Sequence, residues 1–126
     1  MIKIYHDPEG TQEITADNPD FIHKAVPVGN VLEDIVQLYL LSDDPTLTYE
    51  NIHITADNDD DGATSHGQID VKYSLDGATY KDTLEIPDGD FATAVAVYRK
   101  VIAPDVQEAY KRTDILHKHL FEEYKK

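Results

Sequence analysis

Residues 68–75 read QIDVKYSL, and their alternation decides the fold class. Ile69, Val71, Tyr73 and Leu75 fall at every second position, with Asp70, Lys72 and Ser74 between them. A strand turns successive side chains to opposite faces, so this order predicts a half-buried β-strand. Asp76-Gly77 follows, and that pair between two alternating runs is a hairpin signal. The return run YKDTLEIP, 80–87, places Tyr80, Leu84 and Ile86 on a common face before Pro87 ends it.

Neighbouring segments repeat the pattern. In ATAVAVYRKVIAP, 92–104, Val95, Val97 and Val101 share a face with Arg99, while Ala96, Tyr98 and Ile102 take the other. Upstream, LTYENIHIT, 47–55, alternates Tyr49, Asn51, His53 and Thr55 against Leu47, Ile52 and Ile54 after a shift at Glu50. In VLEDIVQLYLLSDDP, 31–45, the positions Leu32, Ile35, Val36, Tyr39 and Leu40 also fit helical spacing. Its β-branched and aromatic content, its shortness and the SDDP turn favour a strand. Residues 21–28 alternate loosely and close on Pro27 and Gly29-Asn30. Short strands with turns about every ten residues, and no internal repeat, predict an all-β sandwich or barrel spanning 1–126 as a single domain.

The tail, PDVQEAYKRTDILHKHLFEEYKK, carries two signals. Asp105 and Glu108 have capping-box spacing, which predicts one short helix over 105–111. From 114 to 124 alternation returns, with Leu116, Leu120 and Tyr124 opposed to Ile115 and Phe121, and His117 and His119 beside the latter. That predicts a last strand, with a long terminal helix as the alternative.

Composition narrows the function. The 126 residues contain no cysteine, which excludes disulfides and thiolate chemistry and agrees with a reducing compartment. Twenty-five acids against eleven bases give a formal charge of −14, a surface that repels phosphate backbones and anionic membranes. No run approaches the ~20 apolar residues of a membrane span. The N-terminus MIKIYHDPEG lacks a basic leader and an apolar core, so the expectation is a soluble protein without a signal peptide, made in a cytoplasm.

One loop reads as a metal site. DNDDDGATSHGQ, 57–68, sets Asp57, Asp59 and Asp61 at alternate positions before Gly62, as in a calcium loop. Its twelfth position is Gln68 rather than a bidentate glutamate, and strands flank it, so it is not a helix–loop–helix calcium site. The expectation is a solvated strand connection and no cofactor. Calcium on Asp57, Asp59 and Asp61 is the alternative. His117 and His119 share a strand face but have no third ligand in sequence. Ser42, Ser65 and Ser74 lack a nucleophile turn, and the six glycines form no phosphate loop, so the reading is not an enzyme. Eight tyrosines without tryptophan suit contact surfaces, and Tyr5, Tyr80, Tyr110 and Tyr124 are the candidate interface residues. Partial burial at a sandwich rim accounts for them equally well.

The order PVGN, IVQLYLLSDDPTLTYENIHIT, IDVKYSLDGATYKDTLEIPDG, AVAVYRKVIAP and TDILHKHLFEEY resembles small immunoglobulin-like β-sandwich domains. The matching residues are Tyr49, Asn51 and Ile52, then Tyr73 to Gly77, then Tyr98, Arg99 and Pro104. The absence of tryptophan and of a cysteine pair excludes an antibody-type domain. The opening MIKIYHDPEGTQEITADNP and the later KRTDI are similar to accessory proteins of tailed-phage virions. That resemblance implies an antiparallel immunoglobulin-like sandwich in a capsid decoration, collar, tail or baseplate. It implies other virion proteins as partners, a homo-oligomer or attachment to a symmetric assembly, and neither nucleic acid nor membrane. The rival readings are a calcium-dependent ligand- or carbohydrate-binding module and an acidic inhibitor that imitates DNA.

Overall fold

The structure, a computed structural model, describes residues 1–24, 26–57, 69–104, 106 and 112–126. In chain order its strands are β1 (Ile2–Tyr5), β2 (Asp20–Ile22), β3 (Leu32–Ser42), β4 (Leu47–Ala56), β5 (Asp70–Ser74), β6 (Thr83–Ile86), β7 (Val95–Ala103), β8 (Thr113–Ile115) and β9 (His117–Lys125). All pairing between them is antiparallel. One sheet has the order β1-β3-β7-β5 and a second β6-β4-β9, while β2 and β8 form a short ribbon. The chain changes sheet from β3 to β4 and at each step through β7. The result is an all-β, sandwich-like fold with no helix among the described residues.

Alternation in the sequence becomes inside and outside in the fold. Leu32, Leu38 and Leu40 of β3 and Val97, Val101 and Ala103 of β7 are buried on one inner face. Tyr49, Ile52 and Ile54 of β4 supply the other. Sealing such side chains from water contributes roughly 1.5–3 kcal/mol each. Polar ties also cross the layers: the Tyr49 hydroxyl lies 2.6 Å from Ser42 Oγ, and His119 Nε2 lies 2.8 Å from the Ile2 carbonyl oxygen. The Tyr49 ring meets Phe91 and Phe121 edge-on at 6.0 and 5.6 Å between centroids.

The tail is a strand as expected, with Leu116, Leu120 and Tyr124 exposed. Most of the short helix expected over 105–111 lies outside the described residues. Four sequence expectations are corrected. Leu75, expected on the face of Ile69, Val71 and Tyr73, is 40% exposed while Ser74 is buried, because β5 ends at Ser74, whose hydroxyl bonds into the Asp76-Gly77 turn. Tyr49 is fully buried beside Ile52 and Ile54, not on the side of His53 and Thr55. The reason is an extra residue: the β4–β9 register shifts between Glu50 and His53, and Asn51 sits at φ 52°. Such a bulge reverses the facing of everything before it. Next, Asp76-Gly77 does turn the chain, and Tyr73 pairs with Lys81 across it, but the return strand β6 then leaves for β4 in the other sheet. Tyr80 consequently parts from Leu84 and Ile86. It lies instead beneath Lys100, whose Nζ is 5.0 Å from the ring centroid.

Candidate functional site

An arginine at a core position organises the most chemically dense part of the molecule. Arg99 occupies the inward register of β7 between Val97 and Val101 and has no exposed surface. Its Nε and Nη2 donate to the two oxygens of Asp20 at 2.8 and 2.7 Å. Its Nη1 donates to Asp34 Oδ2 at 2.7 Å and to the Asp34 carbonyl at 3.2 Å. On the far side of Asp34, Lys24 Nζ lies 3.0 Å from Oδ1 and donates to the Glu33 carbonyl at 2.8 Å. On the far side of Asp20, His117 Nε2 lies 2.8 Å from Oδ2, and His117 Nδ1 lies 2.6 Å from the Tyr73 hydroxyl.

Each strand delivers its member by simple parity. Asp34 follows Leu32 on the buried side of β3, Tyr73 follows Val71 on β5, and His117 follows Ile115 into β9. The β2–β8 ribbon holds Asp20 opposite Ile115, beside the start of β9. Two cations against two carboxylates leave the group formally neutral when the imidazole is neutral. Asp20 as a carboxylate only accepts, so His117 Nε2 carries a proton, and in the neutral ring Nδ1 accepts from the Tyr73 hydroxyl.

The electrostatics favour the charged forms of Asp20, Asp34 and Arg99 and the protonated Tyr73 hydroxyl. Burial pushes Asp20 up, but the hydrogen bonds and charges of His117 and Arg99 outweigh it and hold the carboxyl below its usual range. Asp34 follows the same pattern, with burial opposed by Arg99 and Lys24. Arg99, disfavoured by burial, is raised by its two carboxylates. Burial, then the nearby Asp20 charge, pushes the Tyr73 hydroxyl up, so it stays a proton donor.

Tyrosine, histidine and aspartate in sequence could relay a proton. Here they are enclosed: the Tyr73 residue has no exposed surface, the His117 and Asp20 side chains are 2% and 6% exposed, and of the three only His117 borders a groove. A reactant has no approach to the tyrosine oxygen. What the arrangement does is tie β2, β3, β7 and β9 together through charged hydrogen bonds, each stronger than a neutral one, with β5 joined by the Tyr73–His117 hydrogen bond.

A groove of about 510 Å³ opens nearby, between β1, residues 13–19 and the start of β9. Ile2, Ile4, Ile14 and Ile115 give it an apolar floor, and Lys3, Glu13, Asp57 and Asp114 are among the charged residues lining it.

Of the loop acids, Asp57 is exposed directly after β4 and donates its backbone N–H to the Leu116 carbonyl at 2.8 Å. Asp59 and Asp61 lie outside the described residues, as does Tyr110. His117 and His119 do share the inner face of β9, but each aims a ring nitrogen at a protein oxygen, Asp20 or Ile2. Tyr5 and Tyr80 flank one surface, the outer face of the four-stranded sheet, whereas Tyr124 lies on the outer face of the other sheet. Between Tyr5 and Tyr80 the sheet adds Tyr39, paired with Tyr5, and Tyr98, paired with Gln37 and Ser74. All four are half-buried.

Matched against known protein families, curated proteins and solved structures, the chain finds no counterpart in any of the three.

The buried network had a partial sequence signal. An arginine in step with Val95, Val97 and Val101 must bury its charge and therefore needs an acid beside it. Asp34, in step with Leu32, Val36 and Leu38, was a visible candidate. Asp20 had no such mark, because β2 is only three residues long.

Proposed function

We propose that this chain is a non-catalytic interaction subunit, an immunoglobulin-like sandwich that docks on a larger assembly as an accessory protein of a tailed-phage virion. The observation that carries the docking reading is the row of half-buried tyrosines Tyr5, Tyr39, Tyr98 and Tyr80 across the outer face of the four-stranded sheet. Tyrosine offers a large apolar ring with a polar tip and little rotamer entropy, the combination that contact surfaces favour. Ile35, half exposed on the same face, adds aliphatic surface. The densest cluster of titratable side chains is enclosed and internally satisfied, which suits a scaffold better than a catalyst. The virion assignment rests on the resemblance of the chain's opening and closing segments, and the charge of −14 fits a component that must stay soluble in a crowded particle.

The test is fractionation. Particles from the source of this sequence are banded on a density gradient and probed with an antibody to the chain. Co-banding is expected, together with loss of co-banding for Tyr39→Ser/Tyr98→Ser at unchanged circular dichroism. Recovery only at the top of the gradient refutes the virion assignment.

A further inference from the structure

We propose that β9 pairs edge to edge with β9 of a second copy, antiparallel, about a two-fold axis at Leu120. This deepens the docking reading and rests on it, by naming one partner and one register.

The strand is nine residues long and pairs with β4 on one side only; among the described residues no strand pairs with its other edge. A long unpaired edge is a template for another strand. The direction of its free groups follows from its two ends. The Leu116 carbonyl accepts from Asp57 N–H at 2.8 Å and Lys126 N–H donates to the Thr46 carbonyl at 3.0 Å, both on the β4 side. Backbone groups alternate sides along a strand, so those of His117, His119, Phe121 and Glu123 face outward from the sheet. An axis at Leu120 pairs His119 with Phe121 and His117 with Glu123, outward-facing groups with outward-facing groups.

The side chains choose this register over its neighbours. Leu116, just before β9, and Lys118, Leu120, Glu122 and Tyr124 on its outer face follow an order that is self-complementary when reversed. With the axis at Leu120, Lys118 of one copy meets Glu122 of the other, twice, and Leu120 meets Leu120. Leu116 meets Tyr124. Sliding by two residues in either direction sets a charged side chain against leucine. The edge also keeps a charge to offer: Glu122, which accepts from the Tyr124 hydroxyl, lies directly opposite Glu50 on β4, and Lys118 makes no ion pair among the described residues. Like charges across a strand pair are destabilising, and the second copy's lysine would offset that. Leu120 is 57% exposed, a large apolar side chain left in water at the centre of the proposed contact. Such an interface is isologous and closes as a dimer, joining two three-stranded sheets into one of six.

The full chain is measured by sedimentation equilibrium. Wild type is expected to dimerise, and Lys118→Glu and Glu122→Lys alone are each expected to weaken the dimer about tenfold or more, by placing like charges at both symmetry-related pairs. The double swap Lys118→Glu/Glu122→Lys is expected to restore it. Glu122→Lys sets a lysine beside Glu50, so its fold is expected to persist, and circular dichroism checks this. A second measurement uses the absence of native cysteine. Oxidised Leu120→Cys is expected to cross-link as a dimer, since directly opposed residues at such a pair lie about 4.5 Å apart between Cα atoms, within disulfide reach. Lys118→Cys is expected not to, because its copies would stand about 13 Å apart along the strands. A monomer at high concentration, a dimer indifferent to both charge reversals, or equal cross-linking at the two cysteines overturns the pairing. If that same monomer still bands with particles, the docking reading stands without it.

Discussion

His117 Nε2 lies 2.8 Å from Asp20 Oδ2, across 97 positions of chain. The contact joins the last long strand to a three-residue ribbon near the start. Because Asp20 also takes two hydrogen bonds from Arg99, the carboxylate becomes the point where β2, β7 and β9 meet.

Removing the cation at this junction leaves Asp20 with His117 alone and Asp34 with Lys24 alone. Arg99→Met keeps much of the volume but leaves Asp20 and Asp34 facing an apolar side chain. Breaking a buried ion pair from one side costs about 3–5 kcal/mol, so urea titration is expected to show a loss of that size. Adding Asp20→Asn to Arg99→Met is expected to recover part of it. A loss under about 1 kcal/mol for the single substitution contradicts the proposed role of the cluster.

Tyr73→Phe tests the outer end of the chain of contacts. The ring still meets His117 edge-on, at 5.6 Å between centroids, but Nδ1 loses the hydroxyl that satisfies it. An unsatisfied buried acceptor costs about 1–3 kcal/mol, which thermal denaturation is expected to register as a lower Tm with an unchanged far-ultraviolet spectrum.

Acid is expected to loosen the fold through the same groups. Asp20 and Asp34 both have folded values below the ordinary 3.8, the unfolded reference. A depressed folded value contributes stability that is complete above the unfolded value and is lost as pH falls through the folded one. Stability from this source is therefore flat above about pH 5 and declines from about pH 4 downward. Exposed acids add to the slope, among them Asp76, which the Thr79 and Ala78 amides and the Ser74 hydroxyl bring down to about 2. Asp20→Asn is expected to be less stable at neutral pH and to have a shallower acid slope than wild type, read from urea midpoints across that range. An unchanged slope counts against the assignment.

Gly77→Ala probes the turn after β5. Gly77 has φ 76°, and a Cβ there would meet the Tyr98 ring at 3.4 Å. A left-handed backbone costs a residue bearing Cβ about 1–2 kcal/mol, so a loss of that order is expected in chemical denaturation. A neutral result would mean that the turn relaxes.

Strands β3 to β7 and β9 were legible from residue order alone, whereas the four-residue β1 was too short to announce itself and β2 covers only Asp20–Ile22 of the alternation expected over 21–28. Ile69, Val71 and Tyr73 point inward as their alternation implied, though Leu75 beyond the strand's end does not, Arg99 keeps the face of Val97 and Val101, and 114–124 divides as its pattern foretold. This works because side-chain facing in a strand is a local property, set by the pleat and repeated every two residues. The same locality explains the failures. A single inserted residue at Asn51 turned Tyr49 inward, and pattern reading saw a shift at Glu50 without its consequence.

Partnership was settled only by folding. Nothing near Arg99 in the chain names Asp20, 79 residues away, and nothing near Asp76-Gly77 says that the strand beyond it will join β4 rather than β5. Any strand of suitable alternation can pair with any other, so the choice depends on burying all inner faces at once. A charge drawn into that interior then stays only where opposite charges, brought from distant segments, converge on it.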